Sequence, residues 1–205
     1  MAIKTIIFDF GNVVAFFDHG RAIAQLAQYT DLPPAELTLQ LYGGPLEDAY
    51  ERDAISTDEY VRQAIANGRL TCTRERFLAA FVDIFWQNRE VCELIPQLKP
   101  AYRVVLASNT TRAHYEEYSR AFAGTLSHFD HLGTSFAAKS RKPEPAFCTH
   151  IQQFAQAQPN ECVFIDDLLT NIESAERFGW NGIVYRPDGT LVEKLAALGV
   201  TVGTK

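Results

Sequence analysis

Lys4-Thr5-Ile6-Ile7-Phe8-Asp9-Phe10-Gly11-Asn12-Val13-Val14 is the stretch from which the rest of the chain can be read. Ile6-Ile7-Phe8 is β-branched and aromatic and lacks the polar alternation of a half-exposed strand. Such a run fits a central strand of a parallel sheet, buried on both faces. In these sheets ligands bind beyond the carboxyl ends of the strands. Asp9 stands at that end and is followed by a glycine-containing turn.

Beyond the turn, Val13 to Phe17 is apolar until Asp18-His19-Gly20 breaks it, the pattern of a short flap leading away from a sheet. From about residue 21 to 89 the apolar spacing is helical. Asp31-Leu32-Pro33-Pro34 reads as a helix start and Gly43-Gly44-Pro45 as its end. Ser56-Thr57-Asp58-Glu59 is a capping box, and Thr73 caps a further helix carrying Phe77 and Phe81. Four helices and no strand predict a small bundle inserted after the first strand. Strand and helix then alternate. Val104 to Ala107, Phe129 to Ser135, Cys162 to Ile165 and Gly182 to Tyr185 are the strand candidates, with helices between them and a frayed tail from Thr201. This order predicts an α/β fold: a three-layer core with a parallel sheet and an inserted helical domain. The expected boundaries are 1–15 and 90–205 for the core and 16–89 for the insertion.

Three strands end in polar groups: Asp9, Ser108-Asn109 and Asp166-Asp167. Parallel strands bring such ends to one edge. A single aspartate there is as readily a turn former or a cap. Three such ends, with Lys142 between the last two, make a better case for chemistry. Asp9, Asp166 and Asp167 are candidate oxygen ligands for Mg²⁺. Asp9 is also a candidate nucleophile, a carboxylate able to form an acyl-phosphate that water then hydrolyses. Ser108 suits phosphate oxygens or an ordinary N-cap. Lys142, in Ser140-Arg141-Lys142-Pro143, suits charge stabilisation or a solvated basic pair, with Arg141 the blander neighbour. Asn171 orients an acidic ligand or caps a helix. His19 near the flap touches substrate or only shapes a turn.

The bulk composition narrows the classes. The 205 residues carry 47% hydrophobic and 21% charged side chains, the profile of an ordinary globular protein. A net charge of -6 argues against a nucleic-acid surface and against an anionic membrane. Cys72, Cys92, Cys148 and Cys162 have no CxxC spacing, so neither a disulfide framework nor a zinc site is expected. Asp9 interrupts the only early apolar run, which is not a signal peptide, and the expected location is the cytoplasm. No G-x-S-x-G elbow, P-loop or G-x-G-x-x-G segment is present.

Taken together, Asp9-Phe10-Gly11-Asn12-Val13, Ser108-Asn109-Thr110, Lys142-Pro143 and Asp166-Asp167 followed by Asn171 resemble, in order, the four motifs of the haloacid dehalogenase-like hydrolase superfamily. The resemblance covers nearly the whole chain. It implies a Rossmann-like core with a subclass I helical cap and, within the family, a likeness to the glucose-1-phosphatase-like members. It further implies Asp9 as nucleophile and Mg²⁺ ligand, the Gly11 carbonyl as a second ligand, and Asp166 or Asp167 completing the metal site. Ser108, Asn109 and Lys142 would hold phosphate. Most phosphatases of this family carry a second aspartate two residues after the nucleophile, acting as acid and then base. Gly11 stands there instead, so the leaving-group proton must come from water or from a residue such as His19.

The expected function is therefore a Mg²⁺-dependent phosphatase acting on a small phosphorylated metabolite, such as a sugar 1-phosphate, through an aspartyl-phosphate. A monomer or small homo-oligomer is expected. The rivals are a 2-haloacid dehalogenase, which needs no metal, and a non-catalytic binding protein on the same fold. Paired carboxylates without a cation repel each other, which favours the phosphatase. Tyr42, Tyr50, Arg52 and Trp86 are candidate substrate contacts from the cap.

Overall fold

The computed structural model describes residues 2–203. Its first strand is β1 (Thr5–Phe8), followed by the short β2 (Ala15–Phe17). Helices α1 (His19–Leu26), α2 (Pro34–Leu41), α3 (Pro45–Glu51), α4 (Thr57–Asn67) and α5 (Arg74–Val82) follow. The chain then passes through β3 (Phe85–Gln87), α6 (Arg89–Leu98), β4 (Arg103–Ser108), α7 (Arg112–Ala121) and α8 (Ala123–Leu126). It ends with β5 (His131–Thr134), α9 (Ser135–Ala138), α10 (Pro145–Ala155), β6 (Cys162–Asp166), α11 (Leu169–Phe178), β7 (Asn181–Val184) and α12 (Leu191–Ala197).

Five strands form one parallel sheet in the order β5-β4-β1-β6-β7. β1 is central, with Ile6 level with Val104 on one side and Val163 on the other. Side chains alternate across the sheet, as strand geometry requires. Ile6 and Phe8 pack with Val91, Ile95 and Leu195, whereas Ile7 packs with Phe147, Ile151 and Ile172. Each face is covered by helices, so the strands read as continuous apolar runs. No helix among the described residues is long and apolar enough to cross a membrane.

The insertion after β1 holds five α-helices, one more than the sequence pattern predicts. The extra helix is α3. Gly43-Gly44-Pro45 ends α2 and also begins α3, because Pro45 occupies a first-turn position where its missing N–H is no loss. The capping box at Ser56 is half formed. The Ser56 hydroxyl accepts from Glu59 N–H at 3.2 Å, but the Glu59 carboxylate turns to Arg62 and Gln63. Leu26, Leu37, Tyr50, Tyr60, Phe77 and Phe81 make the insertion's own apolar centre. Both chain crossings lie in one antiparallel ribbon, with Phe16 opposite Trp86, so the segments that enter and leave the insertion are hydrogen-bonded to each other.

The tail departs from the expectation of fraying. Val202 packs against the core, and Thr201 N–H donates to the Tyr102 hydroxyl at 2.8 Å. Residues 204–205 of the expected tail lie outside the described residues, as does residue 1.

Candidate active site

Asp9 is set at the sheet edge by the ladder itself, since its N–H donates to Ile165 O at 2.9 Å. The turn that follows is closed by the Phe10 carbonyl, which accepts from the N–H groups of Val13, Val14 and Ala15. Those three bonds occupy Phe10 O, whereas Gly11 O takes part in none of them. Asn12 adopts φ of 56°, a left-handed conformation that asparagine tolerates better than most residues. There its Nδ2 donates to Asp167 Oδ2 at 3.1 Å.

Lys142 is buried and reaches two carboxylates, Asp9 Oδ1 at 2.6 Å and Asp166 Oδ2 at 2.8 Å. Its backbone is held by one side chain. Asn109 Oδ1 accepts from Lys142 N–H at 2.8 Å, and Asn109 Nδ2 donates to Lys142 O at 3.0 Å. The Asn109 carboxamide thus positions the Lys142 backbone, and Asn109 also lines the cavity. Ser108, which ends β4, is buried, and its hydroxyl has a long 3.4 Å contact to Asn109 O. Capping of α7 falls instead to Thr111, whose hydroxyl accepts from His114 N–H.

The two adjacent aspartates of the last motif are unlike. Asp166 is fully buried, and both its oxygens are covered by donors. Oδ1 accepts from Leu168 N–H and Asn171 Nδ2, and Oδ2 from Lys142 and Asn171. Asp167 is half-buried, with Asn12 as its side-chain partner. Asn171 therefore fixes Asp166; Leu168, not Asn171, stands at the N-cap of α11. Asp9, Asp166 and Asp167 offer oxygens within 4.8 Å of one another. One ammonium cannot neutralise three carboxylates. Burial, reinforced by Asp166 and Asp167, pushes Asp9 up to about 8 against the pull of Lys142. Burial also raises Asp167.

Asp9, Asn12, Ser108, Asn109, Lys142 and Asp167 line a cavity of about 290 Å³. Part of its remaining wall comes from the helical insertion. A larger groove of about 1070 Å³ lies between α5 and α7 and contains none of these groups. Phe17, His19, Glu47, Glu51 and Ile84 face the cavity, and Tyr42, Tyr50, Arg52 and Trp86 do not. The Tyr50 hydroxyl is spent on Thr57 and Ala113 N–H, and Tyr42 is stacked between His19 and Phe81. His19 is pushed down to about 4 by burial, so it carries no proton to give as a cation near neutrality.

Arg141 is not the bland neighbour of Lys142. It lies in the cavity wall and pairs with two α3 carboxylates, Asp48 at 3.2 Å and Glu51 at 3.0 Å. Next to it, Arg52 of the insertion holds Glu144 through both terminal guanidinium nitrogens, and Ser140 donates to the same carboxylate. The loop that carries Lys142 is therefore bound to α3. Glu47 and Glu51 escaped the sequence reading because carboxylates four apart on a helix normally mark a solvated face.

Gly11 has a structural reason to be glycine. A Cβ there would stand 2.8 Å from Phe17 Cε1. Gly11→Asp is therefore expected to restore no proton transfer and to destabilise the chain by about 1–3 kcal/mol through overpacking. Urea unfolding checks the second part, and an undiminished midpoint would show that the ring moves aside freely.

A family profile described as haloacid dehalogenase-like hydrolase matches residues 3–179. D-ribitol-5-phosphate phosphatase of Bacteroides thetaiotaomicron is 26% identical over 93% of this chain and 98% of its own. Among solved structures, a HAD family enzyme of the same organism, in complex with magnesium and inorganic phosphate, superposes with a TM-score of 0.78. It is 20% identical and aligns over 91% of this chain and 96% of its own. A protein described as a predicted HAD-like family hydrolase from Porphyromonas gingivalis gives a TM-score of 0.83 at 22% identity, covering 98% of this chain and 100% of that one.

Proposed function

We propose, from the premise that this chain belongs to the haloacid dehalogenase-like hydrolase family, that it is a Mg²⁺-dependent phosphatase of a small, hydroxyl-rich phosphate monoester. The observation that carries this reading is the group of Asp9, Asp166 and half-buried Asp167, with a single ammonium between the first two, opening on a cavity. The donor set fits a hard divalent cation: it is all oxygen, and it holds more negative charge than Lys142 can offset. Asp9, Asp167 and the Gly11 carbonyl would hold the ion. Asp166 is already filled by four donated hydrogen bonds and serves to fix Lys142 and Asn171. When bound, Mg²⁺ supplies the positive charge that keeps Asp9 ionised and screens its approach to a phosphate dianion.

The residues then divide the work. The Asp9 carboxylate attacks phosphorus and forms an aspartyl-phosphate, which water hydrolyses in a second step. Lys142 stabilises charge on Asp9 and on the transferred phosphoryl group, and Asn109 keeps Lys142 in place. The Ser108 hydroxyl binds a phosphate oxygen. The helices from α1 to α5 act as a cap that closes over the ester.

The cavity volume suits a phosphate on a short carbon chain. Its far wall offers polar groups from Glu47, Glu51 and Arg141, which suit hydroxyls. We place linear polyol phosphates first, supported by the likeness to the ribitol-phosphate enzyme, and sugar 1-phosphates second, supported by the F-D-x-G-N-V opening. The test is a phosphate-release screen over both classes. Release is expected to fall to background in EDTA and to return with Mg²⁺. Phosphate release undiminished in EDTA would overturn the Mg²⁺-dependent mechanism, and no release from either class in Mg²⁺ would favour the dehalogenase or binding-protein alternatives.

A further inference from the structure

We propose that Glu51 is the acid that protonates the leaving oxygen, the task that position 11 cannot perform; the inference rests on the phosphatase reading above. In phosphoryl transfer the attacking and leaving oxygens are roughly in line. With Asp9 at the sheet edge, an in-line leaving oxygen would face the cavity wall, to which the helical insertion contributes. Phe17 and Ile84 in that wall have no proton to give. His19 and His114 are both held neutral by burial, at about 4 and about 3, and a neutral imidazole is a very weak acid. The His114 Nε2–H is also engaged by Phe81 O at 3.0 Å. Glu47 is also raised by burial, but its Oε2 accepts from Gly43 N–H at 2.6 Å, a bond that favours the ionised form.

Glu51 remains. It is 8% exposed, lines the cavity, and its Oε2 has no hydrogen-bond partner among the described residues. Arg141 Nε lies 3.0 Å from that oxygen but is not aligned to donate, and it too is without a partner. The pair is thus an ionic contact with unused hydrogen-bonding capacity on both sides. Arg141 and Lys142 favour the Glu51 carboxylate, while Glu47 and Asp48 on its own helix oppose it. Tyr60 of α4 is also near enough to feel its charge. Burial outweighs the two cations and pushes Glu51 up to about 7, where a carboxyl can both give and retake a proton.

The chemistry balances in two halves. In the first, the Glu51 O–H gives its proton to the ester oxygen as the P–O bond breaks and the Asp9–phosphorus bond forms, releasing the alcohol. In the second, the Glu51 carboxylate takes a proton from the attacking water. The water oxygen bonds to phosphorus, the Asp9–phosphorus bond breaks, and inorganic phosphate leaves with both side chains restored.

The experiment compares wild type, Glu51→Gln and Glu51→Asp in Mg²⁺ on ribitol 5-phosphate and p-nitrophenyl phosphate across the neutral pH range. The aryl ester departs as a stabilised anion and needs no acid. For Glu51→Gln, kcat/KM on the alkyl ester is expected to fall about 10²–10⁴-fold, with less than about tenfold loss on the aryl ester. The alkaline limb of the wild-type profile, where activity falls as pH rises through about 7, is expected to vanish in Glu51→Gln and to persist in Glu51→Asp. Equal losses on both esters, or an unchanged limb in Glu51→Gln, would overturn the proposal and leave the phosphatase reading standing. A wild type that releases phosphate from neither ester would overturn both.

Discussion

Asp9→Asn lowers phosphate release by about 10⁴-fold or more while leaving the protein folded: that is the largest effect the structure leads us to expect, on the scale seen when a nucleophile is removed. An amide neither forms the acyl-phosphate nor offers an anionic ligand, so both nucleophilic and metal-holding roles go at once. The fold should not suffer. In metal-free protein Asp9 is raised to about 8 by burial and by Asp166 and Asp167, so near neutrality it is already mostly uncharged. Asparagine closely matches that uncharged form. The sign follows from proton binding. Between the ordinary carboxylate range and about pH 8 the folded chain holds a proton at Asp9 that the unfolded chain has released. Stability of the wild type in EDTA therefore declines as pH rises through this window, and Asp9→Asn flattens the decline. Urea midpoints across the window measure it. Phosphate release that survives the substitution would defeat the covalent mechanism, and a collapse of the fold would defeat the electrostatic account.

Lys142→Met is expected to reduce both activity and stability. The ammonium is 5% exposed and lies between Asp9 and Asp166, the latter wholly buried. Taking one partner from a buried ionic group leaves uncompensated charge and costs about 3–5 kcal/mol. The carboxylates raise the Lys142 pKa despite burial, so its stabilisation is fully present through the neutral range and is lost only in strong alkali. In the variant the deficit should shrink as pH falls through about 8, because below it Asp9 holds its proton with or without the ammonium that draws it down. Chemical unfolding in EDTA at mildly acidic and mildly alkaline pH checks this. Equal midpoints for variant and wild type would show that the ammonium contributes nothing net. Lys142→Arg should not rescue, since a planar guanidinium does not occupy the place of a compact ammonium.

The core was legible in the sequence because buried parallel strands must be apolar along their whole length. Ile6-Ile7-Phe8, Val104 to Ala107 and Cys162 to Ile165 declared themselves, and their polar ends then fell on one edge. What was illegible depended on partners far apart in the chain. The functions of Asn109 and Asn171 required knowing that one faces the Lys142 backbone and the other Asp166. Arg141 looked like a solvated basic residue until α3 supplied Asp48 and Glu51. α3 itself was hidden because glycine and proline signal both the end of one helix and the start of the next. Gly11 was visible as an absence; the Phe17 ring that explains it comes from the first strand of a ribbon that local patterning did not reveal.

That ribbon has a consequence for how such a chain can be diversified. Asn88 N–H donates to Val14 O at 3.2 Å, so the core segments on either side of the insertion already lie side by side. Whatever is spliced between them, long or short, meets the sheet through the same paired ends and adds little closure entropy, which grows only slowly with length. The point behaves as a recombination joint at which lids of different size are interchangeable. The freedom is not complete, because Arg141 and Glu144 would arrive at a new lid with their charges unmatched. A successful graft must therefore carry its own counterparts of Asp48 and Arg52, which makes α3 and the Lys142 loop a single unit of inheritance.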